Sequence, residues 1–122
     1  MKKITAFVID TVRNTAEVKE LDDDIHAYYK ELNCDCFDIA RRKIGGRVYC
    51  ILCDDIGLYK ENPIISAIEP IKQEDVLVGN LVIVAERNHE FESLTAADIM
   101  RIHTHICTYK DGNVERVAVA IG

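Results

Sequence analysis

No run of about 18 uninterrupted apolar residues occurs in the 122-residue chain, which excludes a membrane-spanning helix of the usual kind. The start of the chain also lacks the apolar block of a signal peptide: Met1-Lys2-Lys3 leads directly into a strand-like pattern that contains Asp10. A cytoplasmic protein is expected, and its five cysteines, an odd number without a secretory signal, are then expected as reduced thiols. Basic residues are in deficit. With 15 Lys and Arg against 21 Asp and Glu, the formal net charge is −6, which argues against the broad cationic face that long nucleic acid requires. A small anion held by two or three local cations stays open. Prolines and glycines are few, two and six, while 48% of residues are hydrophobic and 30% charged, so the chain is globular rather than disordered or fibrous. Catalytic signatures are lacking too. Gly45-Gly46 is flanked by strand patterns and has no Lys-Ser/Thr behind it, so it is no phosphate loop, and the motifs supply no assembled nucleophile, base and orienting group. A protein without enzymatic activity and without a cofactor is expected, as one domain over residues 1–122 with one modest core.

What is present reads as an α+β fold, a mostly antiparallel sheet of about six strands packed with two main helices. KITAFVID (3–10) is a central strand, apolar on both faces, and TAEVKEL (15–21) alternates as its half-buried antiparallel partner. After Asp22-Asp23-Asp24, residues suited to capping and loading a helix start, Ile25, Tyr28, Tyr29 and Leu32 share one helical face, and Asn33 stops the helix. The tyrosine pair reads as core packing with hydroxyls at the rim. The stretch from Cys34 to Gly57 is a hairpin turned at Gly45-Gly46. Asn62-Pro63 predicts a turn or a short helical start, Pro70 a second break, and 71–75 a loop. LVGNLVIVA (77–85) is a strand interrupted at Gly79-Asn80, and 86–92 is a charged loop. Thr95 and Asp98 have capping-box spacing. The Ile99, Ile102, Ile106 periodicity carries a second helix on to a turn at Asp111-Gly112-Asn113, and 114–121 ends the chain as a strand.

Cys34, Cys36, Cys50 and Cys53 have the look of a zinc set, but residues three apart on a strand face opposite ways, and Ile51 and Leu52 do not make a metal knuckle, so half-buried thiols are expected. His103 and Cys107 share a helical face at i, i+4 without further ligands to complete a site, and Asp54-Asp55 reads as a solvated strand end. The distinctive charge feature is Arg41, Arg42 and Lys43 with Arg47 across the turn, the densest basic cluster in an acidic chain. Such a cluster suits phosphates or carboxylates.

The chain resembles a family of small proteins from bacteriophages and mobile elements of Firmicutes that is known only as a domain of unknown function. The resemblance lies in MKKITAFVID, AEVKEL, the hairpin ending in an acidic turn, the Asn62-Pro63-Ile64 segment, LVGNLVIVA and SLTAADI, over about residues 1–106. The cysteine-rich hairpin and the last strand depart from the pattern. The resemblance implies a phage accessory protein of the counter-defence kind, one that sequesters a nucleotide signal or masks a host protein. Nucleotide binding would use arginines beside aromatic surfaces. Arg41, Arg42, Arg47 and Tyr49 form one expected wall; Arg87, Asn88, Phe91, Arg101, His105 and Tyr109 form another, with Arg101, His105 and Tyr109 as a stripe along the second helix. A homo-oligomer that completes the pockets is expected. The alternative is a protein-interaction module that masks its target through the acidic surface.

Overall fold

A computed structural model describes residues 2–122, the side chain of residue 58 excepted; residue 1 of the expected domain lies outside the described residues. The first strand, β1 (Lys3–Asp10), owes its position to its double-sided pattern. Ile4, Ala6 and Val8 pack on one face, Phe7 and Ile9 on the other, all buried. A strand apolar on both sides belongs inside a sheet. It pairs in register with β2 (Thr15–Asp22), Phe7 opposite Val18, through a turn in which Asp10 Oδ1 accepts the backbone N–H groups of Val12 and Arg13.

Helix α1 (Ile25–Leu32) follows, burying Tyr28 and Leu32 and ending at Asn33 in the left-handed conformation, φ 54°. The aspartates before it do not cap it as expected. Asp24 holds the N-cap position without a side-chain hydrogen bond, and Asp23 instead accepts the Tyr28 hydroxyl at 2.5 Å. The Tyr28 ring is 3% exposed and sits edge-on to Phe37 and Phe91.

The central hairpin is β3 (Phe37–Ile44) and β4 (Arg47–Asp54), with Ile44 opposite Arg47 across Gly45-Gly46. Both glycines have positive φ, 60° and 86°, which a two-residue turn matched to strand twist requires. A short 3-10 turn (Gly57–Tyr59) then leads to β5 (Ile65–Ile68), a strand that the Asn62-Pro63 break obscures in the sequence. The LVGNLVIVA run divides at Gly79-Asn80 into β6 (Val76–Val78) and β7 (Leu81–Arg87), which belong to different sheets. Residues 86–92 are not a loop. Strand β7 continues to Arg87, Asn88 and His89 turn with positive φ, and β8 (Glu90–Glu92) pairs back on it.

Helix α2 (Ala96–Thr104) starts on the expected capping box: the Thr95 hydroxyl accepts Asp98 N–H, and Asp98 accepts Thr95 N–H. It is shorter than the periodicity suggests. Ile106-Cys107-Thr108-Tyr109 is a β-branched and aromatic run, and it forms β9 (Ile106–Asp111) against β10 (Val114–Ala120) instead of further helical turns.

Among the described residues the architecture is broadly α+β but dominated by strands, ten of them with two helices, in two sheets rather than one. The larger sheet runs β2-β1-β7-β4-β3 with β8 on β7, and all its pairings are antiparallel. The smaller runs β6-β5-β10-β9, with β5 and β10 parallel. One face of the large sheet is covered by α1 over Ile4, Val8, Leu52 and Val82. The other meets α2 and the small sheet over Phe7, Ile51, Ile83, Ile102 and Val119. Among the described residues no helix is long and apolar enough to cross a membrane.

Candidate functional site

The hairpin register decides where each basic residue goes. Neighbours along a strand point to opposite faces, so Arg41, opposite Cys50, lies on the α1 face, while Arg42, opposite Tyr49, lies on the α2 face. Each meets a carboxylate of its own. Arg41 donates from Nε and Nη2 to the two oxygens of Glu86 at 2.9 and 2.6 Å, a bidentate pair that raises the arginine pKa and lowers that of Glu86. Arg42 donates to Asp75 at 2.7 and 3.3 Å and ties the large sheet to the loop before β6. These two expected wall residues are separated and neutralised by internal partners.

Arg47 and Tyr49 remain together with two residues of α2. Tyr49 is 1% exposed, and its hydroxyl donates to Asp98 Oδ1 at 2.8 Å while accepting from Arg101 Nη1 at 2.7 Å. Arg101 Nη1 and Arg47 Nη1 both stand 3.2 Å from that same Oδ1, and the Arg47 guanidinium lies 5.9 Å from the centre of the Tyr49 ring. Asp98 is itself buried, 1% exposed. Burial pushes its carboxyl pKa up, but hydrogen bonds from Thr95 N–H, the Tyr49 and Thr95 hydroxyls, and the charge of Arg47 outweigh that and hold it below the ordinary value. Tyr49 is pushed up, by burial first and by its bond to Asp98 second.

His105 closes the group as the C-cap of α2, its Nδ1–H donating to the Arg101 carbonyl at 2.8 Å. It packs over the turn: a β-carbon placed on Gly45 would stand 2.7 Å from Arg101 Cγ and 2.8 Å from His105 Cε1. Glycine is thus required at 45 for close approach as well as for its φ.

The other expected residues lie apart from this group. The continued β4–β7 register brings Arg87 and Asn88 to the same end of the large sheet as Gly45-Gly46, where Arg87 stands 3.8 Å from Glu92. Phe91 is half-buried, edge-on to Tyr28 on the α1 face, and lines a hollow of about 260 Å³ together with Lys2, Arg87 and Asn88. Tyr109 is on β9, not on a helical stripe with Arg101 and His105, and its hydroxyl donates to the Ile65 carbonyl at 2.7 Å. The sequence marks Asp98 only as a cap; its i, i+3 spacing to Arg101 is the signal that it also organises the charges.

The family model of a domain of unknown function, DUF3846, matches residues 3–106. The chain belongs to this family. Among the curated proteins and the solved structures, nothing matches. The DUF3846 match covers the whole Arg47–Tyr49–Asp98–Arg101–His105 group and stops where β9 begins, so most of the β9–β10 hairpin lies beyond it.

The far end of the same hairpin in this DUF3846 chain is hollowed. A cleft of about 900 Å³ is lined by Tyr29, Lys30, Cys34, Asp35, Asp55 and Lys60, among others. Its thiols are not activated: burial raises the pKa of Cys34 and the charge of Asp55 that of Cys36. Cys50 and Cys53 face opposite sides of β4, and burial pushes both to about 11. No group of three or more His, Cys, Asp or Glu suited to a metal occurs among the described residues.

Proposed function

We propose that the chain binds a small anionic ligand, a nucleotide in the first instance, at the Gly45-Gly46 end of its large sheet and holds it without turning it over. The observation that supports this is the charge balance around buried Asp98: Arg47 and Arg101 share its single carboxylate, which leaves one positive charge uncompensated in an otherwise acidic molecule. The Arg47 side chain is 55% exposed, and Asp98 keeps its donors from Thr95, Tyr49 and Arg101 if Arg47 turns to a phosphate. An arginine positioned over an aromatic ring suits phosphate recognition. The buried Tyr49 ring offers no face to a base, so the base is received by a second copy of the chain in a homo-oligomer. In a bacterial host cytoplasm such binding would serve a phage as a counter-defence sponge, the role that the family resemblance implies.

Thermal-shift screening with cyclic dinucleotides, cyclic trinucleotides and ADP-ribose derivatives tests the reading. A ligand is expected to raise the melting temperature of the wild type and not of Arg47→Ala, and to be recovered intact by chromatography. No stabilising ligand sinks the proposal, and new products sink its non-catalytic half.

A second reading is favoured by the net charge of −6 and by Asp35 and Asp55 at the cleft of the opposite end, where Asp54 is taken up by Lys60. An acidic surface of that kind suits a protein-interaction module that masks a basic patch on a host protein. A partner captured by the wild type and lost on Asp55→Lys supports it; equal capture by both contradicts it.

A further inference from the structure

We infer that the free edge of β9 docks a second copy of the chain, the two β9 strands pairing antiparallel about Thr108. Each sheet ends in two outer strands, β2 and β3 in the large one, β6 and β9 in the small one. Three of the four are guarded. Strand β2 carries Glu17, Glu20 and Asp22. On β3 the outward carbonyls of Arg41 and Lys43 are taken, by Arg42 Nη1 at 3.0 Å and by Gly122 N–H at 2.9 Å. Strand β6 is three residues long.

Strand β9 has none of these devices. Asp111 faces Val114 across the two-residue turn Gly112-Asn113 and so exchanges hydrogen bonds with it. Alternation then points the backbone groups of Tyr109 and Cys107 to β10 and turns the N–H and C=O groups of Ile106, Thr108 and Lys110 outward. Ala120 N–H, donating to the His105 carbonyl at 2.9 Å, continues the same alternation at the start of the strand. Among the described residues nothing bonds the outward groups, and such an unpaired row is a template for another strand. A hollow of about 310 Å³ lies against this edge. Cys107 and Tyr109 line it with Ile65 and Ile68, and Thr108, on the other face of β9, lines it too, so the hollow reaches round the edge.

The strand complements itself. Antiparallel pairing centred on Thr108 sets Thr108 against the partner's Thr108 and Ile106 against the partner's Lys110, using every outward group in about six ladder hydrogen bonds. A shift of the centre to Cys107 or Tyr109 leaves Lys110 or Ile106 without a strand partner. The facing side chains fit as well. Cys107 meets the partner's Tyr109 at the rim of the hollow, half-buried Ile106 is covered by the stem of the partner's Lys110, and His105 meets the partner's Asp111, with no like charges opposite. The seam ends at His105, beside Gly45, where the proposed ligand calls for a second copy. It is argued from the strand edge alone, so the seam and the ligand reading stand or fall separately.

The test is sedimentation equilibrium of the full chain without ligand, up to about 200 µM because a seam this small lies at the weak end of interfaces. The wild type is expected to dimerise, and Thr108→Pro to stay monomeric with the circular dichroism of the wild type, since the N–H it removes has no partner inside the monomer. Two readouts do not depend on that variant. In the wild type the amides of Ile106, Thr108 and Lys110 should exchange at least about threefold more slowly at about 200 µM than at about 5 µM. In Tyr109→Cys, mild oxidation should link two chains through Cys107 of one and the introduced thiol of the other. A wild type monomeric throughout, a folded Thr108→Pro that still dimerises, protection independent of concentration, or linkage only through other cysteines would each overturn the seam. Nucleotide binding by a protein that stays monomeric overturns the seam and leaves the ligand reading standing; a dimer that binds no nucleotide does the reverse.

Discussion

Asp98→Asn keeps the shape of the buried side chain and removes its charge and one acceptor. Both carboxylate oxygens are occupied. Oδ2 accepts Thr95 N–H at 2.9 Å and the Thr95 hydroxyl at 3.0 Å; Oδ1 accepts the Tyr49 hydroxyl at 2.8 Å and Arg101 Nη1 at 3.2 Å, with Arg47 Nη1 as an ion-pair partner at the same distance. An amide has one acceptor oxygen, so whichever way it turns, its NH₂ faces donors. With the oxygen toward Tyr49 the capping box opens, at about 1 kcal/mol. The misplaced buried donor then adds about 1–3 kcal/mol. The sum is about 2–4 kcal/mol, and with about 4 °C of Tm per kcal/mol for a chain of this length, the Tm falls by about 8–16 °C. Thermal unfolding followed by circular dichroism reads it directly.

The pH dependence gives the sign. The folded-state pKa of Asp98 lies below its unfolded value, so its contribution is fully present above about pH 4 and is lost as pH falls through the lowered folded value. The gap between wild type and variant should be constant from about pH 5 to 8 and narrow below about pH 4. A Tm change under about 3 °C at neutral pH, or a gap that persists undiminished in acid, would refute the role given to this carboxylate.

Gly45→Ala meets Arg101 and His105 and a positive φ together, whereas Gly46→Ala meets only a positive φ, so urea unfolding should show the first as more destabilising by about 1–2 kcal/mol; equal costs contradict the packing described. Thr95→Ala removes both hydroxyl contacts of the cap and should cost about 1 kcal/mol in urea unfolding; no measurable cost contradicts the cap described. In native protein, a thiol reagent at about pH 8 should modify exposed Cys36 first and Cys50 at least about tenfold more slowly, its burial and its pKa of about 11 both acting against it. Equal rates for the two would mean that β4 is not held as described.

Much of the fold is legible because local and global signals agree. KITAFVID announces a buried strand, Gly45-Gly46 a hairpin, and Thr95 with Asp98 a helix start, and each is where its chemistry demands. The failures share a cause, namely strands whose order comes from pairing rather than from their own local pattern. Strand β5 is four residues whose order comes from pairing with β6 and β10, and β9 continues an isoleucine periodicity that belongs to α2 until pairing with β10 ends it. Gly79-Asn80 shows a break but not a change of sheet, which Asn80 stabilises by accepting from the Thr11 backbone and hydroxyl at 2.8 and 2.9 Å. At the candidate site the residue types were legible and the pairings were not. Alternation sends Arg41 to Glu86 and Arg42 to Asp75, contacts spanning 45 and 33 residues, and leaves Arg47 and Arg101 around one carboxylate.

The claim that this end of the sheet holds an anionic ligand is tested most directly by an NMR titration that follows backbone amides and arginine Nε–H signals as a cyclic dinucleotide is added. The account predicts that Gly45, Gly46, Arg47, Arg101 and His105 shift together and saturably while Lys30, Lys60 and the amides around Asp54 stay in place. Shifts confined to the Asp54 end, or no saturable shift at Arg47 and Arg101 with any nucleotide of the panel, would contradict it.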